Sequence, residues 1–225
     1  MSQELNRIEI ESVGATPDDL ANAVLRQLPN TTRAVPIVKI ALALDIVEIK
    51  VATLHGIEAC LQCDDLKDKG QIIVIAASSP RHRRYSIAHE LCHFLNERHR
   101  PTIVGGFACD ADDTRVPRRE ARHLQQEQEA NTFAIEVLTP RSLFARYLKR
   151  APDLERVVDL STRFDVSREA AARRYFDLHQ ESLVVIFSEN GRVRYVQKGN
   201  GFPSTTVWAN DQLGDRWGNA RSTDY

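Results

Sequence analysis

Residues 84–95 read Arg-Tyr-Ser-Ile-Ala-His-Glu-Leu-Cys-His-Phe-Leu and contain the pattern His-Glu-x-x-His. Positions four apart lie on one face of a helix, so His89 and His93 can present their imidazole rings to the same metal ion. Glu90 stands beside them, close enough to act as a general base on a water held by the metal. The remaining side chains are largely apolar, which predicts a helix buried on most sides. Burying two histidines and a glutamate there would be costly without a partner, so we predict a zinc site.

The composition is that of an ordinary globular protein. Of the 225 residues, 42% are apolar and 27% are charged, which is typical of soluble domains. A formal net charge of -1 provides no general attraction to nucleic acid or to an anionic membrane. No apolar run is long enough to span a bilayer, and the N-terminus lacks the features of a signal peptide. We therefore expect a cytoplasmic protein with reduced cysteines and no membrane partner.

The four cysteines do not form a recognisable metal motif. Cys60 and Cys63 are spaced as C-x-x-C, but a second pair of this kind is absent from the sequence, and Cys92 and Cys109 stand alone. The stretch 57–63 has the pattern of a strand, in which residues 60 and 63 would point to opposite faces. We interpret the cysteines as small buried apolar residues.

The order of elements around the motif predicts a small α+β fold. Residues 1–17 are polar and are expected to be loosely ordered. Apolar periodicity then predicts two helices, three strands and the helix of the motif; the helices cover about 16–28 and from 35 onward, and the strands cover 46–51, 56–63 and 71–76. We expect the sheet to pack along one side of the zinc-binding helix.

A second helix, over residues 118–137, offers a third metal ligand. A catalytic zinc keeps three protein ligands and one open position. Glu127 and Asn131 are four apart on this helix, so Glu127 can complete the metal shell while Asn131 accepts a hydrogen bond from a ligand histidine. His123 lies one turn before Glu127 and either lines the cleft or is a surface histidine. Glu129, about two positions further round, is expected to face solvent.

Two rivals to Glu127 remain open, His99 and Glu129. His99 falls at the spacing of the long metzincin pattern, with Asn96 where that pattern has glycine. Metzincins also need a downstream methionine turn, and the sole methionine in the sequence is Met1. The sequence therefore favours Glu127. The intervening residues 99–118 are predicted to form a long loop, and we interpret it as a possible gate to the site.

The C-terminal part predicts two further modules, which divide the chain at 1–140, 141–180 and 181–225. Residues 160–171 resemble a helix-turn-helix, with Ser167 capping the second helix. Residues 141–178 hold nine Lys or Arg against six Asp or Glu, a thin basic excess for gripping DNA phosphates. Asn190-Gly191 between two apolar runs predicts a β-hairpin.

Together the two helical motifs resemble the ImmA/IrrE family of bacterial and phage-associated metallopeptidases. The resemblance rests on residues 84–93 and on 127–140, which read Glu-Gln-Glu-Ala-Asn-Thr-Phe-Ala-Ile-Glu-Val-Leu-Thr-Pro. It implies that His89, His93 and Glu127 hold zinc and that Glu90 is the general base. The chain departs from the family pattern at Cys92, where glycine is usual.

Two functions follow as hypotheses. The resemblance implies a zinc endopeptidase that cuts a protein substrate, a helix-turn-helix repressor of the Cro/cI kind, at one site; it also implies a part in transcription regulation and stress response. The alternative is a DNA-binding or protein-interaction regulator that retains the zinc helix as a scaffold. Glu90 discriminates between the two, because a purely structural site has no need of a base beside the metal. Direct DNA binding is not expected.

Overall fold

The computed structural model describes residues 5–14, 16–29, 33–109, 121–148, 151–199, 202 and 205–213. The chain divides into two compact units. The first contains Met1–Pro140 and Arg163–Val166, and the second contains Arg141–Thr162 and Ser167–Tyr225. Within the described residues, no helix is both long and apolar enough to cross a membrane.

Three short helices open the first unit: α1 over Arg7–Ser12, α2 over Pro17–Arg26 and α3 over Ile37–Ala43. Helix α2 begins as predicted, with Thr16 as its N-cap. The expectation that residues 1–17 are loosely ordered is wrong for α1. Asn6 caps that helix by accepting a hydrogen bond from the Glu9 amide, and Ile10 is completely buried while Ile8 is exposed, as a helical rather than a strand-like alternation requires.

A four-stranded sheet forms the centre of this unit in the described part of the chain. Its strands lie in the order β1 (Ile46–Ala52), β3 (Gly70–Ile75), β2 (Ala59–Cys63) and β4 (Gly106–Cys109). Strands β1 and β3 are parallel, whereas β2 is antiparallel to both β3 and β4. The first three strands confirm the predicted ones. Strand β4 was not predicted, because it lies inside the segment 99–118 that we expected to be a loop; residues 110–120 lie outside the described residues.

The motif helix is α4, Pro80–Leu95, and it packs against the sheet and against α5, Ala121–Leu138. Ser79 caps α4 by accepting from the His82 amide, and Pro80 occupies its first turn, where a missing amide hydrogen costs nothing. At the other end, the buried Lys67 donates through Nζ to the carbonyl oxygens of His93 (2.6 Å) and Asn96 (2.8 Å). The helix that carries the motif is thus held at both ends.

The second unit contains helices and a hairpin. The helices are α6 (Arg141–Ala145), α7 (Leu154–Phe164, except for its last two residues) and α8 (Arg168–Leu178), and the hairpin consists of β5 (Val184–Glu189) and β6 (Arg192–Lys198). Ser167 caps α8, as predicted, by accepting from the Ala170 amide. Asn190 and Gly191 both have positive φ at the hairpin turn, the conformation that favours this residue pair. The mixed α+β class with a C-terminal hairpin is therefore confirmed.

Candidate metal centre

The second half of α4 is buried on every side. All residues from Ser86 to Leu95 are buried, and His89, Glu90 and His93 are 6%, 0% and 0% exposed. The apolar side chains of this stretch pack into the core all round the helix, so its polar side chains are almost fully shielded from water. The burial predicted from the sequence is confirmed, and with it the need for partners.

Four buried donor atoms meet beside this helix. His89 and His93 from α4, Glu127 from α5 and Cys109 from the end of β4 offer ligand atoms that all lie within 4.8 Å of one another. Nε2 of His89 lies 3.1 Å from Nε2 of His93 and 3.0 Å from Glu127 Oε2, and His93 Nε2 lies 3.3 Å from Glu127 Oε1. The structure therefore brings together the three predicted ligands, and it adds a cysteine that the sequence had left alone.

The spacing of these atoms fits a metal ion of the size of zinc. A tetrahedral ion with bonds of about 2.0–2.1 Å holds neighbouring nitrogen or oxygen ligands about 3.3 Å apart. The two Nε2 atoms are 3.1 Å apart, and each lies close to one oxygen of Glu127: His89 at 3.0 Å from Oε2 and His93 at 3.3 Å from Oε1. Imidazole nitrogen, carboxylate oxygen and thiolate sulfur are also the atoms that zinc accepts as ligands.

The outer nitrogen of His89 is held by Asn131, as predicted. His89 Nδ1 lies 3.0 Å from Asn131 Oδ1, and because an amide oxygen only accepts, Nδ1 must carry the hydrogen. In the neutral ring that a metal ion requires, this leaves the lone pair of His89 on Nε2, which faces the cluster. The Tyr85 hydroxyl donates to the same amide oxygen, so a second group restrains Asn131. Helix α5 thus supplies both a candidate ligand and its support from positions four apart.

His93 is supported by a longer chain that runs through both rival ligands. His93 Nδ1 lies 2.9 Å from His99 Nδ1, and His99 Nε2 lies 2.9 Å from Glu129 Oε2. Asn96 and Gln125 also donate to the Glu129 carboxylate. Neither His99 nor Glu129 belongs to the donor cluster found among the described residues. The expectation that Glu129 faces solvent is wrong in part, because its side chain is only 23% exposed and pairs with His99.

His123 lies beside the cluster: its Nδ1 is 3.6 Å from Glu127 Oε1, and its side chain is 18% exposed. Of the two readings that the sequence left open, the structure supports a histidine that lines the site. Tyr85 is occupied by Asn131, so it acts in this structure as a support of that amide.

The charges of the cluster are set by burial and by mutual contacts. Burial lowers the pKa of His93 to about 3, so its ring is neutral and its lone pair is available. Burial alone would raise the pKa of Glu127, but the contacts with His89 and His93 hold it well below its usual range. Burial opposes and Glu127 favours a charged His89, and the pKa of His89 is raised. The metal-free cluster therefore holds an ion pair that a divalent cation would replace.

Glu90 stands apart from these contacts. Burial raises its pKa to about 7, and the charge at His89 and a contact with the Cys109 thiol oppose the increase. In the described part of the chain, neither of its carboxylate oxygens has a hydrogen-bond partner, although the residue is 0% exposed. A buried carboxylate left in this way is costly for folding, so its presence beside the cluster calls for a chemical reason.

The sequence did not predict the role of Cys109. Its Sγ lies 3.7 Å from His93 Nε2 and 3.8 Å from Glu127 Oε1. Burial and the nearby carboxylate of Glu90 raise the pKa of the thiol in the metal-free chain. A divalent cation at the cluster would reverse this effect, since a coordinating thiol loses its proton.

Comparison with known proteins gives a family match over most of this region. The family model Peptidase_M78, described as the IrrE N-terminal-like domain, matches residues 49–176, more than half of the chain. The match begins within β1 and includes both α4 and α5. A search of curated proteins found no match to the chain.

Proposed function

The chain belongs to the family of IrrE N-terminal-like peptidases, and from this premise we propose that it is a zinc-dependent endopeptidase. The family implies peptidase activity and therefore a protein substrate. The metal, the roles of the individual residues and the identity of the substrate are our proposals.

In this proposal His89, His93 and Glu127 hold the zinc, and Glu90 is the general base. Zinc, when bound, would polarise the scissile carbonyl and acidify the attacking water. Asn131 and His99 hold the two imidazole rings so that each directs Nε2 at the cluster. Glu90 takes the proton from the attacking water and later delivers it to the leaving amine, a role for which a pKa near neutrality is suited.

The observation that carries this proposal is the surroundings of Glu90. Neither of its carboxylate oxygens has a hydrogen bond of ordinary geometry among the described residues, and its polar contact there is with the weakly donating thiol of Cys109. A scaffold site would gain stability by replacing this carboxylate with an apolar side chain. A peptidase needs it free, because the oxygen that takes the proton must not be occupied.

For the substrate we propose a helix-turn-helix repressor of the Cro/cI kind, cleaved at one site. This proposal rests on the resemblance to the ImmA/IrrE family and places the protein in the cytoplasm, in transcription regulation and the stress response. Helices α7 and α8 would serve as a docking surface. The small basic excess of residues 141–178 suits a protein partner better than the phosphates of DNA.

The test compares the wild type with Glu90→Gln, a substitution of equal size without the base. Both proteins are incubated with the helix-turn-helix repressor encoded nearest to their own gene, and intact mass is measured over time. We expect the wild type to cut the repressor once and to leave casein largely intact. Glu90→Gln should retain its metal and fold but lose cleavage by about 100-fold or more.

Three results would contradict parts of the proposal. Full activity in Glu90→Gln would remove the mechanism. Rapid and unselective digestion of casein would remove the single specific substrate. Tight sequence-specific DNA binding by the isolated protein, without cleavage, would favour the alternative of a DNA-binding regulator that retains the metal site.

A further inference from the structure

Cys109 is placed beside the metal cluster by the sheet. It is the last residue of β4, where it pairs with Ala59, and its carbonyl oxygen accepts a hydrogen bond of 2.9 Å from the Glu58 amide. The residue is 7% exposed. Its backbone is therefore positioned by strand pairing, and its side chain has little access to bulk water.

The distances from Cys109 Sγ match those expected of a metal ligand. A tetrahedral zinc with a bond of about 2.3 Å to sulfur and about 2.0–2.1 Å to nitrogen or oxygen separates the sulfur from the other ligands by about 3.6 Å. Sγ lies 3.7 Å from His93 Nε2 and 3.8 Å from Glu127 Oε1. These are the same two atoms that face the cluster from α4 and α5.

We propose that Cys109 is the fourth ligand of the metal and that it closes the site in the resting protein. This inference rests on the proposed function, since it concerns the position that a catalytic zinc leaves open. Four protein ligands are typical of structural zinc sites, which are closed to substrate. Glu90 would have no task in such a site, yet it is completely buried there and neither of its oxygens has a hydrogen bond of ordinary geometry among the described residues. Four protein ligands and a buried general base are compatible if the four-ligand site is a latent form of the enzyme and Glu90 acts after Cys109 withdraws.

The strand that carries Cys109 is suited to such a movement. Strand β4 is four residues long and lies at an edge of the sheet, paired with the single strand β2. The other three donors come from long helices packed on each other. Withdrawal of Sγ therefore disturbs a short edge strand, whereas withdrawal of any other donor would disturb the core.

Cobalt substitution of the full-length protein tests the ligand without any need for activity. A cysteine ligand gives the cobalt protein an intense sulfur-to-cobalt charge-transfer band in the near ultraviolet. We expect this band in the wild type and its loss in Cys109→Ala. Cys60→Ala is the matched control, because Cys60 lies on the adjacent strand β2 and is also 7% exposed; this variant should keep the band.

Proteolysis measures the latency. If about a tenth of the wild-type molecules are open, removing the closing ligand should raise the rate of substrate cleavage about tenfold. Cys109→Ala should show this increase, and Cys60→Ala should cleave at the wild-type rate. X-ray absorption at the zinc edge of the wild type checks the ligand set independently, with a sulfur neighbour expected at about 2.3 Å, even if Cys109→Ala fails to fold.

The outcomes separate this inference from the proposed function. Cobalt that binds with no charge-transfer band, or a zinc edge with no sulfur neighbour, would overturn the cysteine ligand and leave the peptidase intact. A sulfur ligand together with unchanged or lower cleavage in folded Cys109→Ala would overturn the latency. A wild type that binds neither metal would overturn both this inference and the proposed zinc site.

Discussion

Replacing His99 with phenylalanine should weaken the metal site without removing a ligand. For His93 to direct the lone pair of Nε2 at the cluster, its Nδ1 must carry a hydrogen, and His99 Nδ1 must accept it. His99 Nε2 then carries the other hydrogen and donates it to the Glu129 carboxylate. The hydrogen bonds from His93 through His99 to Glu129 therefore all donate in one direction, away from the metal site and toward the negative charge of Glu129.

The expected magnitude follows from the burial of this chain. His93 is 0% exposed and His99 is 1% exposed, so water cannot replace the lost acceptor. Phenylalanine leaves the His93 Nδ1 hydrogen buried without a partner, which costs about 1–3 kcal/mol. Partners of this kind behind a ligand histidine typically contribute about 10- to 100-fold to metal affinity. We therefore expect His99→Phe to bind zinc about 10- to 100-fold more weakly than the wild type.

Competition with a chromogenic chelator measures the affinity, and thermal unfolding checks that each variant is folded. His99→Asn is the matched control, because an amide oxygen can accept the same hydrogen and should keep most of the affinity. Glu127→Gln, which alters a proposed ligand, should lose more than His99→Phe. Unchanged zinc affinity in folded His99→Phe would refute the reasoning, and a loss as large as that of Glu127→Gln would reinstate His99 as a ligand.

Two further predictions concern stability. Lys67→Met should lower the free energy of unfolding in urea by about 3 kcal/mol, because two buried carbonyl oxygens at the end of α4 lose their donor. The control is Lys69→Met at an exposed neighbouring position, which should change the free energy by less than about 0.5 kcal/mol. Equal effects of the two substitutions would contradict the capping role of Lys67. The second prediction concerns pH. Although burial opposes it, the contact with Glu127 raises the pKa of His89 in the metal-free chain. Protonated His89 therefore stabilises the folded protein fully below the pKa of about 6.5 that histidine has in the unfolded chain, and this stabilisation is lost as the pH rises through the pKa of the folded state. The melting temperature of the chelator-treated protein should therefore fall as the pH rises above about 6.5, and a constant or rising value would contradict the protonated pair.

The parts of the site that could be predicted from the sequence are those governed by helical periodicity. His89 and His93 are four residues apart, and so are Glu127 and Asn131, so each helix brings its own pair to one face whatever the rest of the chain does. The sequence also contained the capping signals of α2 and α8, Thr16 and Ser167, which depend on neighbouring residues alone. These elements agree with the structure because the physics that decides them is local.

The supporting role of His99 was not predicted and the surroundings of Glu129 were predicted wrongly, because both depend on how the segment after α4 packs against α5. Helical geometry places Glu129 about 200° from Glu127, and this predicted a solvent-facing side chain. The segment after α4 instead folds back and brings His99 against that side of α5, where the Glu129 carboxylate becomes the end of the chain behind His93. Angular position on a helix shows which residues share a face, but it does not show what covers the opposite face.

The position of Cys109 was not predicted because Gly105-Gly106 favoured a loop. In the structure, Gly106 instead allows two strands to approach each other closely. Gly106 has a φ of +151°, and a Cβ at this position would stand 1.9 Å from the carbonyl oxygen of Leu61 on β2. The glycine therefore permits the close approach of two strands and begins β4. Its pairing with Gln62 sets the register, and three residues later the same register brings Cys109 opposite Ala59, beside the cluster. The fourth donor of the site is thus positioned by a glycine, and it is the contact across the sheet, rather than any spacing along the chain, that decides where the sulfur lies.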